Sequence, residues 1–300
     1  MDMLTLSHVS KAFGEHTVID DLSFSVAEHS VFGFIGRNGA GKTTTINMIL
    51  GLLRQDAGEI WVNQEPVHYG QTTTNRYVGY LPDVPEFYDF MTPKEYLSLC
   101  GDITGMQKAQ KNNRITELLE LVGLDGINKR IHGFSRGMKQ RLGIAQALLN
   151  QPLLLICDEP TSALDPLGRK EFLDILSDAR QYTTIIFSTH ILSDVERICD
   201  EITLLNNGKI ALCGTLDEIK GLHQGSCLEI VFDSDRDAAA FQGIFPATKQ
   251  LSDVRLSFDK TTKTDMLHMM QYLAEHHIQI QRMELLEATL EELFMEVISE

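Results

Sequence analysis

No apolar run in this 300-residue chain approaches the length needed to cross a bilayer. Leu148-Leu149 and Leu153 to Cys157 are among the longest, against roughly 20 residues for a spanning helix. The start, Met1-Asp2-Met3-Leu4, lacks a basic region followed by an apolar stretch, which predicts no secretory signal. Positive charge is in deficit: 26 Lys and Arg stand against 42 Asp and Glu, a formal net charge of −16. That balance argues against nucleic acid as the main partner, because phosphate neutralisation needs clustered cations. The five cysteines, Cys100, Cys157, Cys199, Cys213 and Cys227, are widely spaced and show no metal-ligand spacing. They read as reduced core thiols of a cytoplasmic protein. The pair His276-His277 has no ligand-like neighbours and reads as a helix end. No long repeat or low-complexity tract is present.

What is there is organised around Gly36-Arg37-Asn38-Gly39-Ala40-Gly41-Lys42-Thr43. This stretch follows the apolar run Val31 to Ile35 and precedes Thr44 to Leu50, so it fits G-x-x-x-x-G-K-[ST] between a buried strand and a helix. The glycines let backbone N–H groups converge on phosphate oxygens, the helix N-terminus adds partial positive charge, and Lys42 adds a full one. Thr43 offers a hydroxyl for Mg²⁺. A second run, Leu153 to Pro160, reads as a buried strand ending in Asp158 and Glu159. Paired acids at a strand's carboxyl tip are costly unless a cation or a reacting water uses them. A third, Thr183 to Phe187, ends in Ser188-Thr189-His190, a parallel tip that brings His190 toward the phosphates.

Around these lie further elements. Met3 to His8 and Thr17 to Val26 read as strands, and Phe13 between them suits either packing or stacking on a base. A helix runs from the phosphate loop to about Leu53, followed by strands at Glu59 to Asn63 and Val78 to Leu81. Thr92-Pro93-Lys94-Glu95 has capping-box form and opens a helix to about Cys100. Arg114 to Val122 is helical, and Ser135 caps a helix to Leu149. With no strong β-run from Met91 to Leu149, this interval reads as a helical insertion into an α/β core. Asp165-Pro166 opens a helix to about Arg180, and Glu201 to Leu205 pairs with Lys209 to Cys213 across Asn206-Asn207-Gly208. Past Gly221, Leu228 to Phe232, Val254 to Phe258 and Ile278 to Met283 read as strands. Asp235 to Phe241, Lys263 to Glu275 and Thr289 to Val297 read as helices. The expected organisation is a unit at 1–221, its helical subdomain at about 84–149, and a small accessory α/β domain at 222–300.

In this order the stretches resemble the ATP-binding cassette of ABC transporters, over roughly residues 3 to 220. Phe134 to Met138 matches the family's signature motif, and Ala288 to Phe294 looks like the tail of bacterial exporter ATPases of the antibiotic, drug and lipid subgroup. The resemblance implies a P-loop NTPase core of ABC type that binds ATP and Mg²⁺. Gly36, Asn38, Gly39, Gly41, Lys42, Thr43 and Thr44 would grip phosphates and Phe13 would stack on adenine. Thr43, Asp158 and Asp83 would serve the metal, Glu159 the attacking water and His190 the γ-phosphate. Ser135 and Gly137 would hold nucleotide bound to the other cassette of a head-to-tail dimer, with Asp165 communicating across that interface.

Several positions depart from the common family pattern. Phe13 stands where Tyr is frequent, Asp83 where Gln is frequent, Arg136 replaces a glycine and Met138 a glutamine. The implied partners are a second copy or a related cassette and an integral membrane permease, placing the chain at the inner face of the cell membrane. Phe87, Tyr88 and Phe90 suit either a groove for a permease helix or packing between lobes. The rival readings are a soluble ABC ATPase acting on nucleic acid or ribosomes and a non-hydrolysing regulatory module. The acidic composition and single cassette disfavour the first, and intact Lys42, Asp158, Glu159 and His190 disfavour the second.

Overall fold

Apolar alternation in the first sixty residues and unbroken apolar runs thereafter produce two different kinds of sheet. The computed structural model describes residues 1–71, 73–222, 227–246, 249–258, 261–286, 290–291 and 293–294. It separates into two compact units, Met1–Leu216 and Asp217–Glu300. That division falls five residues ahead of the one expected after Gly221.

The first unit opens with β1 (Asp2–Phe13) and β2 (His16–Ala27), an antiparallel pair longer than the alternation predicts. Register shifts in β1, as between Leu6 and Val9, explain the difference, because a bulge breaks the period of two while the strand continues. β3 (Val31–Gly36) leads into α1 (Lys42–Ile49), and β4 (Ala57–Val62) and β5 (Glu65–Pro66) complete an antiparallel sheet in the order β2-β1-β4-β5. α1 stops short of Leu53. Gly51 takes a left-handed φ of 69° and its N–H closes onto the Met48 carbonyl, ending the helix at Ile49 with Leu50 as its cap.

A 3-10 turn at Thr74–Tyr77 precedes β6 (Val78–Leu81). Next come α2 (Pro93–Ile103), α3 (Lys108–Leu121) and, after a 3-10 turn at Ile131–Gly133, α4 (Arg136–Ala147), with no strand among these described residues. Thr92 and Glu95 form the capping box, whereas α3 begins before Arg114 because Gln107 caps it without any side-chain bond to advertise the start. β7 (Leu154–Asp158), α5 (Pro166–Ala179), β8 (Thr184–Thr189), α6 (Leu192–Ile198), β9 (Glu201–Asn206) and β10 (Lys209–Thr215) finish the unit.

The second sheet has the order β10-β9-β3-β8-β7-β6, parallel from β9 to β6, with β10 antiparallel at its edge. Every residue of β3, β7 and β8 is buried, as strands covered on both faces must be. One core joins the two sheets through α1: Leu4, Leu6 and Val62 share a cluster with Ile46, Ile49, Ile156 and Ile186, and Phe24 stacks on Phe32 with ring centroids 5.2 Å apart.

The second unit contains most of α7 (Leu216–Leu222), then β11 (Cys227–Phe232), α8 (Asp235–Gln242), β12 (Lys249–Ser252), β13 (Arg255–Phe258), α9 (Lys263–Glu275) and β14 (Ile280–Leu286). Its antiparallel sheet has the order β12-β13-β11-β14, with Leu228, Ile230, Phe232, Phe241 and Leu273 in its own core. β12 escapes sequence reading because all four of its residues are exposed and carry no apolar pattern. The predicted helix Thr289 to Val297 and the Ala288 to Phe294 tail lie largely outside the described residues. Cys100, Cys157, Cys199 and Cys213 are free thiols, and the Cys227 side chain is outside the described set.

The parallel sheet meets the helical segment tightly where Gly79 of β6 faces the end of α4. A Cβ there would collide with the Ala147 carbonyl and press on Pro152. Gly79→Ala is expected to cost the first unit about 1–3 kcal/mol, read as an earlier unfolding transition in denaturant.

Candidate functional site

The carboxyl ends of β3, β7 and β8 lie side by side, and the chemistry-bearing residues of the sequence meet there. From β3 the chain turns through Arg37–Gly41, closed by the Ala40 N–H donating to the Arg37 carbonyl at 3.0 Å. Gly41 adopts φ 110°, and a Cβ there would strike Ile19 of β2, so the turn needs glycine on both counts. α1 starts directly after it with no side-chain cap on its first N–H groups, leaving those donors for an anion.

Lys42 is buried, 5 % exposed, at the first position of α1. Its Nζ donates to the Gly36 carbonyl at 2.6 Å and lies 3.0 Å from Glu159 Oε1. The lysine is therefore folded back over its own loop. Asp158 is buried at the tip of β7, its carboxylate accepting from Thr43 Oγ1 at 2.8 Å and Ser188 Oγ at 2.9 Å. Burial pushes its carboxyl above the ordinary 3.8, against the pull of those two hydroxyls, and the neighbouring Glu159 charge adds to the rise. Burial beside Asp158 and Asp83 likewise pushes Tyr80 up to about 12.

Glu159 takes a left-handed φ of 47°, unusual for a residue with a Cβ, and its N–H donates to the Ser188 carbonyl at 2.9 Å. This bend aims its carboxylate back over the loop: Oε2 lies 2.7 Å from His190 Nδ1. Oε1 is buried, ion-paired with Lys42 and without a hydrogen-bond partner. A cavity of about 310 Å³ opens here, lined by Asn38, Gly39, Gly41, Lys42, Thr43 and Thr44 together with Asp83, Asp158 and Glu159. Val18 of β2 also lines it, a contact the strand pattern did not single out.

Other sequence candidates lie outside this lining. Phe13 is 52 % exposed, with Lys11 Nζ 5.3 Å above its ring. Ser135 accepts from the Met138 N–H at the start of α4, and Asp165 accepts from the Gly168 N–H at the start of α5. Gly137 faces Leu164, whose Cδ2 would be 3.5 Å from an added Cβ. Asp83 is a junction: its carboxylate accepts from Ser162 Oγ at 3.1 Å and pairs with Arg136 at 3.6 Å, while its carbonyl accepts from Gln140 Nε2 at 2.6 Å.

A glycine-rich loop between a buried parallel strand and a helix, facing an acidic strand tip, defines a P-loop nucleoside triphosphatase. Comparison with known proteins makes this specific. Residues 19–162 match the model of the ABC transporter family, and residues 214–298 match the C-terminal domain of DrrA1-3-like ATP-binding proteins. The bacitracin transport ATP-binding protein BcrA of Bacillus licheniformis is 41 % identical over 211 residues, covering 69 % of this chain and 68 % of that protein. The linearmycin resistance ATP-binding protein LnrL of Bacillus subtilis (strain 168) is 31 % identical over 304 aligned positions, covering 98 % and 97 %. A solved ATP-binding subunit of an ABC transporter superposes with TM-score 0.67 at 35 % identity, covering 73 % of this chain and 92 % of that one. The chain belongs to the ABC transporter ATP-binding proteins, which bind ATP and hydrolyse it to power transport. No helix among the described residues is long and apolar enough to cross a membrane.

The buried Asp158 charge has a consequence for stability. With its folded pKa raised, the folded state holds this proton more tightly than the unfolded state. Its contribution to stability therefore falls as pH rises through and above the ordinary carboxylate range. Asp158→Asn is expected to raise the thermal midpoint of the nucleotide-free protein at neutral pH and to flatten its decline as pH rises above the ordinary carboxylate range, as followed by scanning calorimetry.

Proposed function

We propose that this chain is the ATP-hydrolysing subunit of an exporter. It binds MgATP, pairs head-to-tail with a second copy or a related cassette, and drives a separate membrane permease from the cytoplasmic face. A drug, antimicrobial peptide or lipid is the proposed cargo. The observation that carries the catalytic part is the cluster at the strand tips. Glu159 holds one buried oxygen with no hydrogen-bond partner and the other against His190, beside Lys42 and the uncapped start of α1.

In this reading the Gly39–Thr44 amides and Lys42 hold the phosphates, and Lys42 exchanges Glu159 and its loop carbonyls for phosphate oxygens. That exchange frees Glu159 to orient a water toward the γ-phosphorus. The new bond forms from the water oxygen to the γ-phosphorus, the bond to the bridging oxygen breaks, the water's protons leave with the released phosphate, and ADP departs with the bridging oxygen. Such a reaction needs little covalent help, so positioning and charge compensation carry it. His190 steadies the Glu159 carboxylate and meets the γ-phosphate side.

Thr43 Oγ1 and Asp158 are hard oxygen donors that would hold Mg²⁺, and the ion would supply positive charge against that of the phosphates. Among the described residues no group of three or more His, Cys, Asp or Glu side chains could hold a metal ion by itself. Asp83 borders this side of the cavity. Its bonds to Ser162 and Arg136 make it a junction between segments as much as a ligand.

The dimer accounts for what the cavity lacks. Ser135 and Gly137 lie outside its lining, and in a head-to-tail pair they would close the γ-phosphate side of the other copy's site. Phe13 at its exposed hairpin would receive the base. Export, and the cargo class, rest on the matched C-terminal domain and on relatives that serve bacitracin transport and linearmycin resistance. Tyr88 and Phe90, 55 % and 63 % exposed and 5.9 Å apart, offer an aromatic surface to a permease helix, while Phe87 packs edge-on against Tyr96 in α2.

Glu159→Gln tests this reading. The variant is expected to retain ATP binding, to accumulate as an ATP-bound dimer on size exclusion, and to lose steady-state phosphate release. Wild-type turnover in it removes Glu159 from the role.

A further inference from the structure

Behind the Glu159–His190 pair lies a second, fully buried connection between the same two loops. Asp194, in the first turn of α6, is 3 % exposed, an unusual location for a carboxylate. Its Oδ2 accepts from Thr161 Oγ1 at 2.7 Å, and Thr161 is 0 % exposed. Arg169 of α5 approaches the same oxygen with Nε at 3.8 Å, and this Nε is itself buried without a hydrogen bond. One carboxylate therefore gathers the turn after Glu159, the helix after Asp165 and the helix after His190.

Position in the chain gives this contact its meaning. Thr161 follows Glu159 by two residues, inside a turn closed by the Ser162 N–H onto the Glu159 carbonyl at 3.3 Å and the Leu164 N–H onto the Thr161 carbonyl at 3.1 Å. Asp194 follows His190 by four, and its N–H donates to the Ile191 carbonyl at 3.2 Å. Ile191 is in turn held by Thr189 Oγ1 at 3.0 Å. The two loops thus touch twice. At the open edge Glu159 meets His190, and at the closed end Thr161 meets Asp194.

Glu159 also sits in a left-handed backbone conformation that a side-chain-bearing residue keeps only when its surroundings hold it. The Ser188 carbonyl restrains it on one side. Thr161 is the nearest side chain that anchors the turn on the other.

We propose that Asp194 is a positioning residue for ATP hydrolysis, its bond to Thr161 fixing the Glu159 turn against the His190 loop. The inference rests on the assignment of Glu159 and His190 to the attacking water and goes beyond it. It gives the geometry of that pair a cause outside the site, in buried residues that do not line the cavity. Small misplacements of a reacting group are expensive in rate while leaving phosphate binding by the separate loop and α1 untouched.

The test is steady-state kinetics of the full chain with Thr161→Val, which removes the donor and keeps the shape, beside Thr161→Ser, Asp194→Asn and Glu159→Gln. Thr161→Val is expected to lower kcat roughly tenfold or more while the KM for ATP stays within about twofold. Thr161→Ser, which keeps the hydroxyl, restores most of the rate. Asp194→Asn, with its acceptor no longer a full carboxylate, falls between them. Thr161→Val combined with Asp194→Asn is no worse than Thr161→Val alone, because both act through one bond.

A folded Thr161→Val protein with wild-type kcat, or one whose KM rises with kcat unchanged, overturns the proposal. If Thr161→Val does not fold, Asp194→Asn decides by the same split: a lowered kcat at constant KM supports the proposal and a wild-type kcat ends it. Glu159→Gln separates the two levels of the account. Turnover in that variant refutes the assignment of Glu159, whereas an inactive Glu159→Gln beside a fully active Thr161→Val refutes only the role of Asp194.

Discussion

One ammonium and two carboxylates share a small buried volume at the carboxyl edge of the parallel sheet, and the organisation of the first unit follows from holding them there. Lys42, Asp158 and Glu159 are withdrawn from water by strands with no exposed residue on β3, β7 or β8. Burying charges is costly unless partners compensate. Lys42 is satisfied by a loop carbonyl and by Glu159, and Asp158 by two hydroxyls. The compensation is incomplete: the cluster carries one more negative than positive charge, and a buried Glu159 oxygen lacks a hydrogen bond. In the proposed function a nucleotide with its metal would supply what is missing, an anion for Lys42 and the α1 N-terminus and a cation for Asp158.

The surrounding elements hold these few atoms in register. β3 delivers the phosphate loop, β7 the acid pair, and β8, hydrogen-bonded between them, supplies Ser188 to Asp158, its carbonyl to the Glu159 N–H, and His190 to the Glu159 carboxylate. The antiparallel sheet approaches from above the loop, where Ile19 enforces glycine at position 41 and Val18 walls the cavity. Asp83, at the exit of β6, ties the helical segment to the turn beyond Glu159 through Arg136, Gln140 and Ser162. A few polar contacts thus join the helical segment to the strand tips.

Much of this was legible in the sequence because its signals are local. The glycine loop, the Asp158-Glu159 tip, the Thr92–Glu95 box, the Ser135 and Asp165 caps and the Asn207-Gly208 turn each declare themselves within a few residues. Where the reading fell short, the cause was a signal that is absent or distant. α1 ends at a left-handed Gly51 that resembles any mid-helix glycine, α3 starts without a cap, and β12 has no buried face. Asp194 belongs to no local motif, on a helix of only seven residues. Only the fold brings it to Thr161, across 33 positions of chain. The lining role of Val18 and the junction at Asp83 have the same origin, contacts between segments that no periodicity encodes.

Lys42 pairs with Glu159 in this structure and is expected to be handed over to phosphate when nucleotide arrives. Calorimetric titration of ADP into monomeric wild-type and Glu159→Ala protein measures this most directly, because ADP engages the phosphate loop without requiring hydrolysis or pairing. Removing the competing carboxylate is predicted to tighten ADP binding severalfold. Unchanged or weaker binding in the variant would contradict the claim.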